Sequence, residues 1–527
     1  MYHHQQFFNR NLFLLSLAED VIWDVIVIGG GATGLGTALD SASRGFKTLL
    51  LEQSDFAKGT SSRSTKLIHG GVRYLAQGHI AMVYEALKER GLLLKNAPHI
   101  IKKQVFIIPC YGLWSGLKYL IGLKIYDLMA GKLRFGKSTF LNKNKVLELL
   151  PGLKAQGLKG GVAYFDGQFD DTRLAVNIAQ TCAEQGGTLL NYVQVKELLK
   201  GIDKKINGLI ATDLENNREF KLQARAVVNA TGVFVDDILN MDTPGRKPLV
   251  SPSQGVHLVI DKSFMSAETA IMIPETSDGR VLFAVPWKDH VLLGTTDTPL
   301  SKHSLEPIAL EKEIRFILQT IRNYLITAPL RKDVLSVFAG LRPLAASNND
   351  LGNTKELSRS HKIFVSESGL ITITGGKWTT YRKMAEDTVD KVIKVAGLRH
   401  VACKTADLKI HGSMNCHNDS SLLVCGSDKA NISALIATEP RLANKLHNKM
   451  PYIQAEIIWA VRNEMARTVE DVLARRLRVL FLDARVAIEM APQVASLMSK
   501  ELNLDVTWEK EQVKTFVELA NNYLLEP

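Results

Sequence analysis

Apolar and amphipathic stretches follow one another in a regular order between residues 21 and 52. Val21 to Ile28 and Thr48 to Glu52 are short apolar runs that predict buried strands, and Ala32 to Arg44 between them has helical spacing. A strand, a helix and a second strand of these lengths predict a βαβ unit. This pattern is typical of a doubly wound α/β domain that binds a nucleotide.

Farther along the chain, strand-like and helical segments alternate. Residues 80–100 have helical spacing up to Pro98, KLQARAVVNATG has strand signals, and VLFAVPWKDHVLLGTTD predicts an antiparallel hairpin that turns at Lys288 to His290. From Asp387 onward helical patterns dominate, and Tyr452 to Leu502 is rich in Ala, Leu, Arg and Glu at helical spacing. We therefore expect a separate helical unit after the strands.

The chain has 527 residues, which is more than one hydrophobic core usually supports. We find no internal repeat, so the units are expected to be interleaved in sequence. The predicted nucleotide-binding unit comprises residues 21–75, 155–245 and 335–394. An antiparallel-sheet unit comprises residues 76–154 and 246–334, and residues 395–527 form a helical cap.

Composition limits the partners and the compartment. The net charge of +11 favours anionic partners, which include phosphorylated substrates, acidic lipids and nucleic acid. Five cysteines without a CxxC pair argue against a disulfide framework and against a zinc site, so we expect a reducing compartment and no metal. We find no secretion signal and no uncharged apolar run near the roughly 20 residues that cross a bilayer. Membrane attachment, if it occurs, is expected to be peripheral.

The sequence DVIVIGGGATGLGTALDSASRGFKTLLLE carries the clearest motif. Gly29, Gly31 and Gly34 have G-x-G-x-x-G spacing directly after a predicted strand, with Gly30 inside the motif, and Glu52 closes the next strand. The first glycine allows a tight turn, the second lets the backbone approach a pyrophosphate, and the third lets the helix pack on the sheet, while Glu52 would bind a ribose. A merely flexible loop would not bring all these elements into register. The motif alone leaves FAD and NAD open.

Two later segments favour FAD, which is an extended ligand. In VVNATGVFVDD a strand ends at Thr231 and Gly232, and in GLITITGGKWTTYRKMA a strand leads into Gly375 and Gly376. At both places a backbone could lie close to a flat cofactor. Each taken alone is equally consistent with an ordinary turn.

Donor side chains are concentrated in TSSRSTKLIHGGVRYL, just after the βαβ unit. The candidates for cofactor and substrate binding there are Ser61, Ser62, Thr65, Lys66, His69, Arg73 and Tyr74. Arg73 would clamp a phosphate and Lys66 would add a point charge, while the ordinary pKa of a histidine such as His69 suits proton abstraction near neutral pH. Arg342, Arg359 and Lys377 are more distant candidates, and scattered surface charge is the alternative for them. AGLRPL around Arg342 predicts a turn that faces a cleft.

These residues resemble those of the FAD-dependent glycerol-3-phosphate dehydrogenases of bacterial membranes and mitochondria. The similarity covers nearly the whole chain. It is carried by IGGGATGLGTALDSASRG, TKLIHGGVRYL, GTTDTP, AGLRP and GGKWTTYRKMA. The resemblance implies a Rossmann-like FAD-binding domain of the glutathione-reductase and D-amino-acid-oxidase type, an antiparallel-sheet substrate domain and a helical cap. No D-x-D-x-D-G loop occurs before Pro527, so we expect no calcium regulation through EF-hands.

The resemblance also implies a reaction. C2 of glycerol 3-phosphate would give a hydride to flavin N5, and the electrons would pass to a membrane quinone. Arg73, Tyr74, Arg359 and Lys377 would handle the substrate, and His69 and Arg342 would lie nearest the proton transfer. We favour His69 as the base, because a guanidinium is almost never deprotonated and would instead stabilise an alkoxide. The alternatives are a glycerol-3-phosphate oxidase, a flavin enzyme for hydroxy acids or amino acids, and a flavin-binding redox sensor without turnover.

The segment from Gly112 to Lys145 combines seven Lys or Arg residues and one acidic residue with aromatic and aliphatic side chains. This mixture is typical of a segment at a lipid interface, and a helix packed on the protein core is the alternative. A lipid-soluble acceptor favours membrane contact. We therefore predict an anionic lipid surface as a partner, on the cytoplasmic face of the inner (plasma) membrane, and no nucleic acid. The sequence leaves the oligomeric state open, with a homodimer as one alternative.

Overall fold

The computed structural model describes residues 8–276, 279–345, 361–414 and 421–526. These residues form two sheets and several helical layers. Within them, no helix is both long enough and apolar enough to cross a membrane.

The first sheet is the predicted nucleotide-binding sheet. Its strands are β1 (Ile22–Ile28), β2 (Thr48–Leu51), β7 (Thr188–Leu190), β8 (Val193–Lys200), β9 (Ile206–Asp213), β10 (Arg218–Asn229), β17 (Lys362–Val365) and β18 (Ile371–Thr374). Five of them are parallel neighbours, in the order β18, β10, β1, β2 and β7, and β17, β8 and β9 add antiparallel pairs. The predicted βαβ unit is confirmed, because β1 and β2 pair in parallel with a helix, Ala32–Ser43, between them in sequence.

The second sheet has ten strands and is mostly antiparallel. Its strands are β3 (Leu67–Ile68), β4 (Ile101–Cys110), β5 (Thr139–Asn142), β6 (Gly160–Phe169), β11 (Val250–Asp261), β12 (Ala270–Ile273), β13 (Leu282–Trp287), β14 (His290–Gly294), β15 (Thr298–Pro299) and β16 (Val334–Ala345). The main order of the strands is β15, β11, β14, β13, β12, β4, β6 and β3, with β16 beside β11 and β5 beside β6. The predicted hairpin is confirmed as β13 and β14.

Helices cover both sheets and form the C-terminal part of the described chain. They are α1 (Arg10–Ser16), α2 (Ala32–Ser43), α3 (Val72–Ala76), α4 (Ile80–Asn96), α5 (Leu113–Ala130), α6 (Lys143–Leu149), α7 (Asp171–Glu184), α8 (Val235–Asp242), α9 (Glu311–Arg322), α10 (Tyr381–Ala396), α11 (Lys429–Thr438), α12 (Gln454–Asn463), α13 (Val479–Leu482), α14 (Ala484–Leu502) and α15 (Val506–Asn521). Helix α2 packs against α7 and α10 on the first sheet. The fold class predicted from the sequence is confirmed.

The sheet pairing differs from the predicted unit boundaries in three places. Strands β3, β6 and β16 were expected in the nucleotide-binding unit, but all three pair in the second sheet, β6 with β3, β4 and β5, and β16 with β11. An apolar strand of either sheet has the same local pattern, so only the long-range pairing distinguishes them. The chain therefore crosses between the sheets more often than its sequence indicates.

The C-terminal helices share a core with the second sheet. Val259, Trp287, Leu292 and Phe338 of that sheet pack with apolar side chains of α12 to α15. Because this contact is made of fully buried side chains, the helical cap is fixed on the sheet that forms one wall of the site.

Candidate active site

The glycine loop after β1 is built by close backbone packing. Gly29 has a φ of +108°, and a Cβ on Gly34 would lie 1.9 Å from the carbonyl oxygen of Gly29. Only glycine fits at Gly34, because the first turn of α2 crosses directly over the loop. The amide end of α2 is thereby presented to the space above the sheet.

Glu52 directly follows β2 and holds this loop in place. Its carboxylate accepts hydrogen bonds from the Gly30 amide at 2.6 Å and the Ser54 amide at 2.8 Å, and burial raises its pKa above the ordinary value. Each carboxylate oxygen has a second lone pair, so Glu52 can still accept from a ribose hydroxyl. Glu52, which was predicted to bind a ribose, therefore also positions the glycine loop.

A cavity of about 450 Å³ extends from the glycine loop to the second sheet. The predicted site residues that line it are Gly29, Gly31, Glu52, Ser61, Thr65, His69, Thr231, Gly232, Arg342, Gly375, Gly376 and Lys377. We call it the first cavity. The three glycine turns predicted from separate parts of the sequence thus border one space.

Ser61 and Trp378 close one side of the first cavity. The Ser61 hydroxyl accepts a hydrogen bond from the Ala32 amide at 2.9 Å, and the Trp378 indole donates to the Ser61 carbonyl at 2.9 Å. A Cβ on Gly31 would lie 3.2 Å from the Ser61 hydroxyl oxygen, so little room separates loop and wall. Bare amides, a hydroxyl and a helix N-terminus are the groups that bind a pyrophosphate, and the cavity therefore fits a dinucleotide such as FAD.

A second cavity of about 210 Å³ adjoins the first. Thr65, Leu67, His69 and Arg342 line both, so these four residues form the junction. Other polar residues around the second cavity include Tyr74, Asp166, Arg280, Thr295 and Asp297. Two guanidinium groups near a histidine suit a small anionic substrate.

Arg342 lies in β16 and is held by the segment that follows β14. Its guanidinium donates to Thr295 Oγ1 at 3.1 Å, the Thr296 carbonyl at 3.0 Å and Asp297 Oδ1 at 3.2 Å. A Cβ on Gly255 would lie 2.3 Å from Arg342 Nη2, so a glycine in the neighbouring strand makes room for the guanidinium. The predicted turn at AGLRPL is wrong. Pairing with β11 extends this segment as a strand and outweighs the local turn signal.

Lys377 and Tyr74 meet beside the junction. The Lys377 ammonium lies 4.0 Å from the centre of the Tyr74 ring, and Gly71 lies against both side chains. A cation over an aromatic face is attracted by the negative face of the ring. This pair therefore brings positive charge to the edge of the two cavities.

His257 is a site residue that the sequence reasoning missed. Its Nε2 lies 2.9 Å from Thr65 Oγ1, its ring stacks on Phe338 at 5.0 Å, and it lines the first cavity. Burial, with the nearby Lys66 and Arg342 cations, lowers its pKa well below the ordinary value, so the ring is neutral. Among the described residues its buried Nδ1 has no hydrogen-bond partner. A histidine inside the apolar strand β11 is the sequence signal that marks it.

Comparison with known proteins adds to this geometry. Residues 24–382 match the family described as FAD dependent oxidoreductase, and residues 422–512 match the C-terminal domain of alpha-glycerophosphate oxidase. A probable mitochondrial glycerol-3-phosphate dehydrogenase of Caenorhabditis elegans is 40% identical, over 97% of this chain and 75% of its own length. The human mitochondrial glycerol-3-phosphate dehydrogenase is 39% identical, over 96% of this chain and 74% of its own length. The chain belongs to the FAD-dependent glycerol-3-phosphate dehydrogenase family.

Solved structures agree with this membership. A glycerol-3-phosphate dehydrogenase from Bacillus halodurans, complexed with FAD, has a TM-score of 0.76 and 28% identity and covers 98% of this chain and 97% of its own. An L-alpha-glycerophosphate oxidase from Mycoplasma pneumoniae, at 16% identity and a TM-score of 0.56, covers 74% of this chain and 99% of its own and shares the fold. FAD is thus the cofactor of the family, and the first cavity has the groups to hold it.

Lys66 differs from its predicted role in the family site. Its ammonium is fully buried, 2.6 Å from Asp171 and 2.6 Å from the Ser62 carbonyl, and it lies over the rings of Trp287 and Phe481. Burial, together with Arg478, lowers its pKa to about 7. It does not line either cavity, because the positive φ of Lys66 turns it into the core. Lys66 therefore stabilises the donor-rich segment from the core side, through Asp171 and the Ser62 carbonyl, and supplies no charge to a phosphate.

Five further residues were predicted for the site, namely Ser62, Gly30, Gly34, Arg73 and Arg359. Ser62 is buried, and its hydroxyl donates to the Gly59 carbonyl at 3.2 Å, so it shapes the loop without lining a cavity. Gly30 and Gly34 serve the packing of the glycine loop. The side chain of Arg73 and the whole of Arg359 lie outside the described residues, and their roles stay predictions.

Proposed function

We propose that this chain oxidises sn-glycerol 3-phosphate to dihydroxyacetone phosphate, with FAD in the first cavity and the substrate in the second. The junction of the two cavities supports the proposal, because His69 and Arg342 line both. A substrate bound there would have its reacting carbon beside the cofactor and its hydroxyl beside a base. The family membership supports the same substrate.

Each side chain has a separate task in this proposal. FAD would supply the two-electron acceptor for the C2 hydride. His69 would take the proton of the C2 hydroxyl as the carbonyl forms, and Arg342 would stabilise the negative charge that develops on that oxygen. Arg280, Lys377 and the predicted Arg73 would hold the phosphate.

Substrate preference tests this proposal. The purified yellow protein should reduce a soluble dye with glycerol 3-phosphate, and it should be far less active with glycerol, lactate or glycine. Glycerol lacks the phosphate, and lactate and glycine replace it by a carboxylate on a shorter chain. Equal or better turnover with a hydroxy acid or an amino acid would overturn the assignment, and full FAD content without any turnover would indicate a flavin-binding sensor.

A quinone is the proposed second substrate, and oxygen is the alternative. The match of residues 422–512 to the C-terminal domain of an oxidase makes the comparison necessary. We expect rapid turnover with a short-chain quinone under argon and little hydrogen peroxide under air. Stoichiometric peroxide at a comparable rate would identify an oxidase instead.

Helix α5 supports attachment to a membrane surface. Trp114, Leu117, Ile121, Ile125 and Leu128 are exposed at intervals that place them along one face, and Trp114 and Leu128 are 84% and 80% exposed. The exposed cations on α5 and just after it are Lys118, Lys124, Lys132, Arg134 and Lys137. An outward apolar stripe flanked by cations suits an anionic leaflet, and each cation adds about 1 kcal/mol there.

The five cations provide a direct test. Their replacement by Gln should move the protein from anionic vesicles to the supernatant, while turnover with a soluble dye stays intact. A matched control replaces five exposed lysines elsewhere, Lys204, Lys221, Lys247, Lys510 and Lys514. If both variants sediment like the parent protein, α5 is no lipid contact, and a homodimer becomes the next explanation for its apolar stripe. The curated relatives carry mitochondrial names, so the predicted plasma membrane stays a prediction.

A further inference from the structure

A buried cluster of polar side chains lies behind the loop that carries His69. Gly70 follows His69 between β3 and α3, Tyr126 comes from α5, Asp166 from β6 and Arg90 from α4. All three side chains are almost completely buried. Four elements that are distant in sequence thus meet at the backbone next to the proposed base.

Hydrogen bonds in this cluster converge on the Asp166 carboxylate. The Gly70 amide donates to Tyr126 Oη at 2.7 Å, Tyr126 donates to the Asp166 carboxylate at 2.9 to 3.0 Å, and Arg90 donates to Asp166 at 2.5 Å. Burial, with the neighbouring Asp166 charge, raises the pKa of Tyr126 well above its ordinary value, so the hydroxyl keeps its proton. A tyrosine that donates to a carboxylate becomes a better acceptor for the amide.

The loop also packs directly against Tyr126 at Gly70. A Cβ on Gly70 would lie 2.6 Å from Tyr126 Oη and 2.6 Å from Leu87 Cδ2. No side chain fits at Gly70 unless both Tyr126 and Leu87 move. The glycine therefore fixes the distance between the loop and the cluster as well as its hydrogen bond.

We infer that Tyr126 is a positioning residue, backed by Asp166 and Arg90, that sets the His69 backbone and through it the imidazole at the junction of the cavities. The inference rests on the proposed function, in which His69 takes the substrate proton. A buried ion pair contributes little net stability by itself, so the Arg90–Asp166 pair is better explained by the group that it orients. Asp166 also lines the second cavity, which places the cluster against the substrate.

Tyr126→Phe tests this inference, because it keeps the ring and removes the hydroxyl. The FAD content should stay full, while kcat with glycerol 3-phosphate and a soluble dye should fall ~10- to 100-fold, as expected when a reacting group is displaced by a fraction of an ångström to 1 Å. KM should change little, because the phosphate contacts remain. The isotope effect from deuterium at C2 should grow as the chemical step becomes slower.

Tyr192→Phe is the matched control. Tyr192 donates to Asp471 at 2.6 Å, and Arg475 donates to the same carboxylate at 2.6 Å, so this is a second buried tyrosine, aspartate and arginine group. It lines neither cavity. The control should lose similar thermal stability but keep kcat and the isotope effect.

The outcomes separate the inference from the proposed function. A parent protein without glycerol 3-phosphate turnover overturns the proposed function and this inference with it. An active parent with unchanged kcat and isotope effect in Tyr126→Phe overturns the inference alone. If Tyr126→Phe does not fold, Asp166→Asn replaces it, because asparagine keeps an oxygen for the tyrosine. Its kcat should also fall with FAD retained, and an unchanged kcat would contradict the inference.

Discussion

Replacement of Arg342 by alanine should leave FAD bound and severely reduce the oxidation of glycerol 3-phosphate. The guanidinium lies at the junction of the two cavities and is held by three hydrogen bonds of 3.0 to 3.2 Å. A donor that faces a developing negative charge contributes roughly 2 to 4 kcal/mol to transition-state stabilisation. Because about 1.36 kcal/mol corresponds to a tenfold change in rate, kcat/KM should fall roughly 30- to 900-fold.

The assay combines flavin content with anaerobic reduction kinetics. The visible absorption of the purified variant gives the FAD occupancy, and its bleaching by glycerol 3-phosphate gives the rate of the reductive half-reaction. Arg331→Ala is the control, because Arg331 pairs with Glu311 at 2.8 Å near the surface. Near-normal reduction in Arg342→Ala with full FAD would refute the assignment of this residue to the site.

Three further changes test other parts of the molecule. Gly34→Ala should lose FAD, because its Cβ would lie 1.9 Å from the Gly29 carbonyl oxygen; full flavin content would contradict this. Arg280→Ala should keep FAD but raise KM for glycerol 3-phosphate at least ~10-fold, because the phosphate loses a charge-assisted partner. An unchanged KM would show that Arg280 does not bind the phosphate. Although burial opposes the charged form, the hydrogen bonds that His411 donates to the carboxylates of Asp428 and Glu184 raise its pKa to about 10. The folded protein therefore binds more protons than the unfolded chain between about pH 6.5 and 10, and this stabilisation is present below that range and lost as the pH rises through it. The Tm difference between the parent and His411→Gln should be largest near pH 6 and shrink towards pH 10; a constant difference would be inconsistent with the charge on His411.

The sequence predicted the nucleotide loop well because its parts are contiguous. Gly29, Gly31, Gly34 and Glu52 lie within one βαβ unit, where local packing alone decides the geometry. The site residues that come from the second sheet are different. His257 lies in β11 and Arg280 precedes β13, and both reach the site only through the pairing of the second sheet. No local pattern indicates that pairing.

Lys66 illustrates a second limit. Its neighbours in TSSRSTKLIHGG reach the cavities, so a cation in the same run was expected to face a phosphate. The structure instead turns it towards Asp171 and three aromatic rings contributed by β13, β16 and α13. Composition can mark a donor-rich loop, but the direction of each side chain depends on elements that fold against it later in the chain.

The most direct test of the account is a single-turnover experiment on the parent protein. One equivalent of sn-glycerol 3-phosphate is added under argon to the FAD-loaded protein without any electron acceptor. We predict that the flavin bleaches and that dihydroxyacetone phosphate forms in an amount equal to the flavin reduced. A flavin that stays oxidised with glycerol 3-phosphate, while another hydroxy or amino compound bleaches it, would contradict the central claim.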